Sequence, residues 1–176
     1  YVAYTAPHWP LHAHEEDIAR YEGRFAAGWD QLREERLLRM RQVGILEACW
    51  ELSERDASQP PWADAQHKEW NQRRMESYAA QIDRMDQGIG RIVKALEATE
   101  VDDNTVVMFL SDNGGCATDP LFWEPENPAS DEMPGPVDSY QYLGRDWGWA
   151  QNSPFRRYKG WTYEGGIATP MIVRWP

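Results

Sequence analysis

The chain has 176 residues with 18 basic and 29 acidic side chains, a formal charge of −11, which disfavours nucleic acid or an anionic membrane surface as a partner because both need a basic face. The length suits one domain with a real core. Its two cysteines, Cys49 and Cys116, are too few for a disulfide framework and lack metal-type spacing, and no apolar run approaches the ~20 residues that span a bilayer.

Taken in chain order, residues 1–5 are expected to form a short strand. Residues 6–14, broken by Pro7 and Pro10, read as a loop. Residues 15–21 begin with Glu15 and Glu16 and read as a short helix, with carboxylates where the N-terminal dipole favours them. Asp30 is the expected N-cap of a helix running to about Leu46, and 53–61 is a breaker segment. Met75, Tyr78, Ala79, Ile82, Met85, Ile89, Ile92, Val93 and Leu96 recur at spacings of three and four. That periodicity predicts a long amphipathic helix over about 70–98.

Asp102-Asp103-Asn104 then turns the chain into a strand over 105–110. It is apolar on both parities, so both of its faces are expected to be buried. Residues 117–150 hold Pro120, Pro125, Pro128, Pro134 and Pro136 with Trp123, Trp147 and Trp149. The aromatic content favours an ordered pocket rim over a disordered insert. Glu164-Gly165-Gly166 suggests a tight bend into a last strand. Strand, long helix and covered strand together predict an α/β domain with a largely parallel sheet. The apolar, extended ends, Tyr1 to Tyr4 and Met171 to Pro176, lead to the expectation that residues 1–176 are part of a larger single domain.

Three clusters could carry chemistry. His8, His12 and His14 lie within seven residues, but no carboxylate or cysteine stands at a recognisable ligand spacing. A single functional imidazole, His8, preorganised by Pro7 and Pro10, is the favoured reading. Asp112-Asn113 follows the apolar strand and offers hard oxygen donors suited to Ca²⁺ or Mg²⁺. The same Asn113-Gly114 pair is a strong turn signal, and the local motif leaves turn and site both open. Two ligands cannot satisfy a cation that takes 6–8 oxygens. Arg156, Arg157 and Lys159 form a basic island that could hold an anion or simply be a solvated loop. No G-x-S-x-G elbow and no G-x-x-x-x-G-K-[ST] phosphate loop occurs. Gly88-Ile-Gly90 sits inside a helix and is no dinucleotide fingerprint.

These pieces, in this order, resemble the sulfatase family, especially its arylsulfatase branch. The matching residues are Tyr4-Thr-Ala-Pro-His-Trp-Pro-Leu11, then Tyr78-Ala-Ala-Gln-Ile-Asp-Arg-Met-Asp-Gln-Gly-Ile-Gly-Arg-Ile-Val93. Asp103-Asn-Thr-Val-Val-Met-Phe-Leu-Ser-Asp-Asn-Gly-Gly115, Ser153-Pro-Phe-Arg-Arg-Tyr-Lys-Gly160 and Glu164-Gly-Gly-Ile167 complete them. The resemblance implies an α/β, alkaline-phosphatase-like sandwich, with a mostly parallel central sheet flanked by helices, incomplete in this chain. It also implies hydrolysis of a sulfate monoester, small molecule or glycan, with Ca²⁺ (before Mg²⁺) and a formylglycine hydrate holding the sulfate. By the same resemblance Asp112 and Asn113 are metal ligands. His8 contacts the sulfate and gives a proton to the leaving oxygen, and Lys159 pairs with a sulfate oxygen.

The family's nucleophile lies in a C/S-x-P-x-R motif, and neither Cys49, Cys116 nor any Ser begins one here. The chain therefore reads as the middle and later part of a catalytic domain, expected to be inactive alone, with 117–150 as a pocket-rim insertion. His12 stands where a Gln or another polar residue is expected and is given no role. Two alternatives accompany this reading: phosphate or phosphonate ester hydrolysis on the same fold, and an inactive relative that binds sulfated glycans through its Trp-rich loops. A periplasmic, secreted or lysosomal-type compartment is suggested by the resemblance alone.

Overall fold

The apolar stripe at helical spacing forms the longest element of the computed structural model, which describes residues 1–57, 59–117 and 132–176. In chain order the elements are α1 (Glu15–Ile18), α2 (Gly28–Gln42), α3 (Lys68–Ala98), β1 (Val107–Leu110), α4 (Gly144–Gln151), α5 (Glu164–Ile167) and β2 (Met171–Arg174). A 3₁₀ turn, Ala19–Tyr21, prolongs α1. Among the described residues no helix is long and apolar enough to cross a membrane.

Helix α3 starts two residues before the expected Trp70. It ends where the Thr99 hydroxyl donates back to the carbonyls of Ala95 and Leu96, at 2.8 and 3.1 Å, which satisfies carbonyls left open by the last turn. Helix α2 corrects two expectations. Asp30 lies inside its first turn and is no N-cap. Its carboxylate instead accepts the Trp62 N–H at 2.8 Å and pairs with Arg55, stapling α2 to the segment that follows it. The helix stops at Gln42, short of Leu46. Gly44 takes φ +76° and its N–H donates to the Arg41 carbonyl, while the Ile45 N–H donates to that of Met40. Those paired bonds around a left-handed glycine are a Schellman stop.

The core is aromatic and lies where α2, α3 and α4 meet. Phe25, Trp29, Met75, Leu143, Trp147, Trp149 and Ala150 form it. Trp29 stands edge-on to Trp62 at 4.6 Å and to Trp147 at 5.5 Å. The Trp147 indole N–H donates to the Asn71 carbonyl at 2.8 Å and that of Trp29 to Pro60 at 3.0 Å, so the polar ends are satisfied. Burying one such ring contributes at most roughly 4–6 kcal/mol of transfer free energy.

Trp147 and Trp149, expected in a pocket rim, are therefore core residues on a helix that the sequence reading did not anticipate. Trp123 and the prolines 120, 125 and 128 lie outside the described residues. The expected strand over 1–5 is not formed: these residues are exposed coil, and an extended segment needs a neighbouring backbone to pair with. The expected strand over 105–110 is shorter. It pairs antiparallel with β2, Val107 opposite Arg174 and Leu110 opposite Met171, and the Arg174–Asp102 ion pair at 3.1 Å closes that end. The mostly parallel sheet is not seen among the described residues, where this two-stranded antiparallel sheet stands instead. Nor is β1 buried on both faces: Met108 and Leu110 are 60% and 56% exposed. Apolarity states what a strand can bury, while packing decides what it does bury. Along α3 the same holds: Met75 and Ala80 are buried, but Ile82 and Ile92 are exposed.

Candidate active site

His8 projects from an exposed turn whose far side is moored. The His8 N–H donates to the Thr5 carbonyl at 3.1 Å. Beyond it Leu11 is fully buried and its N–H donates to the Gln141 carbonyl at 2.9 Å. Gln81 of α3 donates to the Pro10 carbonyl at 3.1 Å. His12 lies 2.6 Å, through Nε2, from the Ser139 carbonyl, so its ring is a structural donor. Among the described residues no group of three His, Cys, Asp or Glu side chains is placed to hold an ion.

The His8 ring faces Lys159. Its Nδ1 lies 3.1 Å from the Trp9 carbonyl; a carbonyl only accepts, so Nδ1 carries the hydrogen. Nε2, 3.3 Å from Lys159 Nζ, is then the acceptor for the ammonium. Two residues 151 positions apart in sequence are thus in direct contact. The remainder of the basic island goes elsewhere. Arg157 pairs with Asp56 and stacks over Trp161 at 4.4 Å, and Arg156 lies over the Tyr163 ring at 4.5 Å. The island is no single anion cradle; of its three cations, Lys159 is the one directed at His8.

Asp112 and Asn113 sit in the bend that follows β1, Asp112 exposed and Asn113 half-buried. The Asn-Gly pair does not close a hairpin, because the strand partner of β1 is β2, at the far end of the chain. Instead the glycines allow backbone to lie on backbone. The Gly114 N–H donates to the Gly166 carbonyl at 2.9 Å. A Cβ on Gly114 would stand 1.8 Å from the Gly165 oxygen. The Gly115 carbonyl accepts the Lys159 N–H at 3.2 Å, and the Gly115 N–H donates to Asn152 Oδ1 at 2.8 Å. Glu164-Gly165-Gly166, expected as a tight bend, forms the one-turn helix α5; the bend carrying Asp112-Asn113, this helix and the loop carrying Lys159 are therefore one hydrogen-bonded unit, and Lys159 joins it to His8.

Asp112 supplies a carboxylate and Asn113 an amide oxygen, which fit a hard divalent cation as a partial ligand set. The cavity of about 500 Å³ lies elsewhere, lined by Ser53, Arg55, Asp56, Trp149, Arg156 and Arg157 among others. Two of its arginines are paired, Arg157 with Asp56 and Arg55 with Asp30, and none of the four candidate residues lines it. Sequence reasoning missed Asn152 and helix α4 beneath it. The signal available was Trp147, Ala150 and Gln151 at helical spacing, masked by Gly144 and Gly148.

The family model for Sulfatase matches residues 1–176. An uncharacterized sulfatase of Schizosaccharomyces pombe is 35% identical over the whole of this chain, which covers 34% of that protein. The arylsulfatase of Klebsiella aerogenes is 31% identical, again over the whole chain and 40% of its own length. The steryl-sulfatase of Mus musculus is 31% identical over 57% of the chain and 13% of its own length. The chain thus spans between a third and two fifths of the length of the S. pombe and K. aerogenes proteins.

Proposed function

This chain belongs to the sulfatase family, and we propose that it supplies half of an active site that hydrolyses sulfate monoesters on an alkaline-phosphatase-like α/β scaffold. The observation that carries this reading is the 3.3 Å contact between His8 Nε2 and Lys159 Nζ. The pair holds one positive charge and one transferable proton, whichever nitrogen carries that proton. Both are what a departing ester oxygen needs as negative charge builds on it. The Lys159 ammonium attracts the sulfate, and its proton passes through His8 Nε2, which accepts from it, to the leaving oxygen, so that the alcohol or phenol departs and Lys159 is left neutral.

Asp112 and Asn113 would hold Ca²⁺, before Mg²⁺, together with oxygen donors from outside these residues. When bound, that ion supplies positive charge to the sulfate oxygens. No C/S-x-P-x-R motif occurs in the 176 residues, so the nucleophile, a formylglycine in this family, has to come from outside them. The substrates fitting this chemistry are small-molecule or glycan sulfate esters.

The test is made on the full-length protein with 4-nitrophenyl sulfate. Asp112→Ala should lower kcat by at least about 100-fold and weaken Ca²⁺ binding in a calorimetric titration. An unchanged kcat would refute the ligand role. Faster turnover of 4-nitrophenyl phosphate than of the sulfate would move the protein to the phosphate-ester branch of the superfamily.

A further inference from the structure

We propose that Asn152 is a positioning residue that locks the Asp112-Asn113 bend and the Lys159 loop to a single residue, Gly115. This rests on the reading of Asp112, Asn113 and Lys159 given above. The Asn152 side chain grips Gly115 at both ends. Oδ1 accepts the Gly115 N–H at 2.8 Å, and Nδ2 lies 3.4 Å from the Gly115 carbonyl. That same carbonyl accepts the Lys159 N–H at 3.2 Å. Nδ2 also donates to the Gly148 carbonyl at 2.5 Å, which ties the amide to α4. The orientation of the amide is unambiguous, since a flip would set donor against donor and acceptor against acceptor.

Beneath this amide lies a fixed platform. Helix α4 is anchored by Trp147 and Trp149 in the core. The segment after the bend rides directly on it. A Cβ on Gly115 would meet the Gln151 side chain at 2.0 Å, and one on Gly148 would meet the Cα of Ala117 at 2.8 Å. Gly115 is three residues from Asp112 and two from Asn113, so fixing both its N–H and its carbonyl fixes the direction in which the bend presents both oxygens. Lys159 takes its height from the same carbonyl. The contacts of Asn152 are with the backbone of Gly115 and Gly148, so it acts by setting the spacing between Asp112, Asn113 and Lys159, as supporting shells of ion sites do.

The experiment uses the full-length protein and its Asn152→Ala variant. Ca²⁺ affinity is measured by calorimetric titration, kcat and KM with 4-nitrophenyl sulfate, and folding by thermal unfolding. The expected result is a Ca²⁺ Kd raised roughly 10–100-fold and kcat/KM lowered by a similar factor. On a Lys159→Ala background the same substitution should cost markedly less in kcat/KM, because it acts partly through Lys159. If Asn152→Ala does not fold, the isosteric Asn152→Asp, which keeps the acceptor for Gly115 and loses both donors, must show the raised Kd. A folded variant with Kd, kcat and KM within twofold of wild type overturns the proposal while leaving the sulfatase reading intact. A wild-type protein that neither hydrolyses the sulfate nor binds Ca²⁺ overturns both.

Discussion

Replacing Gly114 by alanine should disable the site while leaving most of the fold in place. The new Cβ would stand 1.8 Å from the Gly165 oxygen, 2.8 Å from its carbonyl carbon and 3.0 Å from the Gly166 Cα. A carbon–oxygen contact settles at about 3.3 Å, so the two backbones must separate by about 1.5 Å. Gly165 cannot retreat. A Cβ there would itself lie 2.1 and 2.4 Å from the carbonyls of Arg157 and Arg156, so backbone already fills the space behind it. The displacement must pass to the Asp112-Asn113 bend or to the Lys159 loop. Misplacing reacting groups by about 1 Å costs on the order of 100-fold in rate, or about 2.7 kcal/mol of activation free energy. The overpacking should cost about 1–3 kcal/mol of stability.

Gly115→Ala is the internal comparison. Its Cβ would meet the Gln151 side chain, whose Nε2 has no hydrogen-bond partner and can swing aside. It should lose less than about tenfold, since a flexible side chain yields where backbone does not. Both variants are assayed in the full-length protein for kcat/KM on 4-nitrophenyl sulfate and for thermal unfolding. Gly114→Ala with activity within threefold of wild type, or Gly115→Ala as the worse of the two, would show that the Gly114–Gly165 contact does not hold the site in register.

Two stability predictions concern residues around the core. Burial pushes the Asp146 carboxyl up to about 6 against Arg74, Arg145 and Arg55, with Asp30 pushing the same way as burial. The folded state thus binds this proton more tightly than the unfolded chain. The stabilisation is complete below about pH 4 and is lost as pH rises through 6, worth about 3 kcal/mol by pH 7. Asp146→Asn should flatten that slope and raise stability at neutral pH in urea unfolding; a variant that tracks the wild-type curve between pH 4 and 7 contradicts the assignment. Arg33 is buried, donates to Ser153 Oγ at 3.0 Å and to the Ser53 carbonyl and hydroxyl at 2.8 and 2.9 Å, and lies 3.4 Å over the Trp149 ring. Arg33→Met should destabilise by about 2–4 kcal/mol, because several charge-assisted bonds go unmade. A loss below about 0.5 kcal/mol, the range of an ordinary surface substitution, would show that the desolvation relieved offsets them.

What the sequence made legible follows the range of each signal. Helix α3 was readable because its stripe repeats within one segment. The stop of α2 was written in Gly44, yet the apolar Ile45 and Leu46 drew the expected end past it. Helix α4 was hidden: two glycines lower its propensity, and its tryptophans stand beside a proline-rich stretch that reads as loop. The direction of the β1 partner is not a property of β1, since an apolar strand accepts either. The candidate site was legible only as separate motifs joined by family resemblance. That His8 meets Lys159, and that Gly115 carries the bonds linking the bend to the Lys159 loop, are tertiary facts with no local signature. The close packing of Gly114 and Gly115 on neighbouring backbone and on the end of α4 likewise has no local signature.

If His8 and Lys159 act as one device on a sulfate ester, a double-mutant cycle on the full-length protein will show their coupling. With 4-nitrophenyl sulfate, His8→Ala and Lys159→Ala should each lower kcat/KM by roughly 100–1000-fold, and the double variant should fall within about tenfold of the worse single one. Losses that multiply in full, or a single variant that retains wild-type kcat/KM, would show that the two residues do not act as a pair.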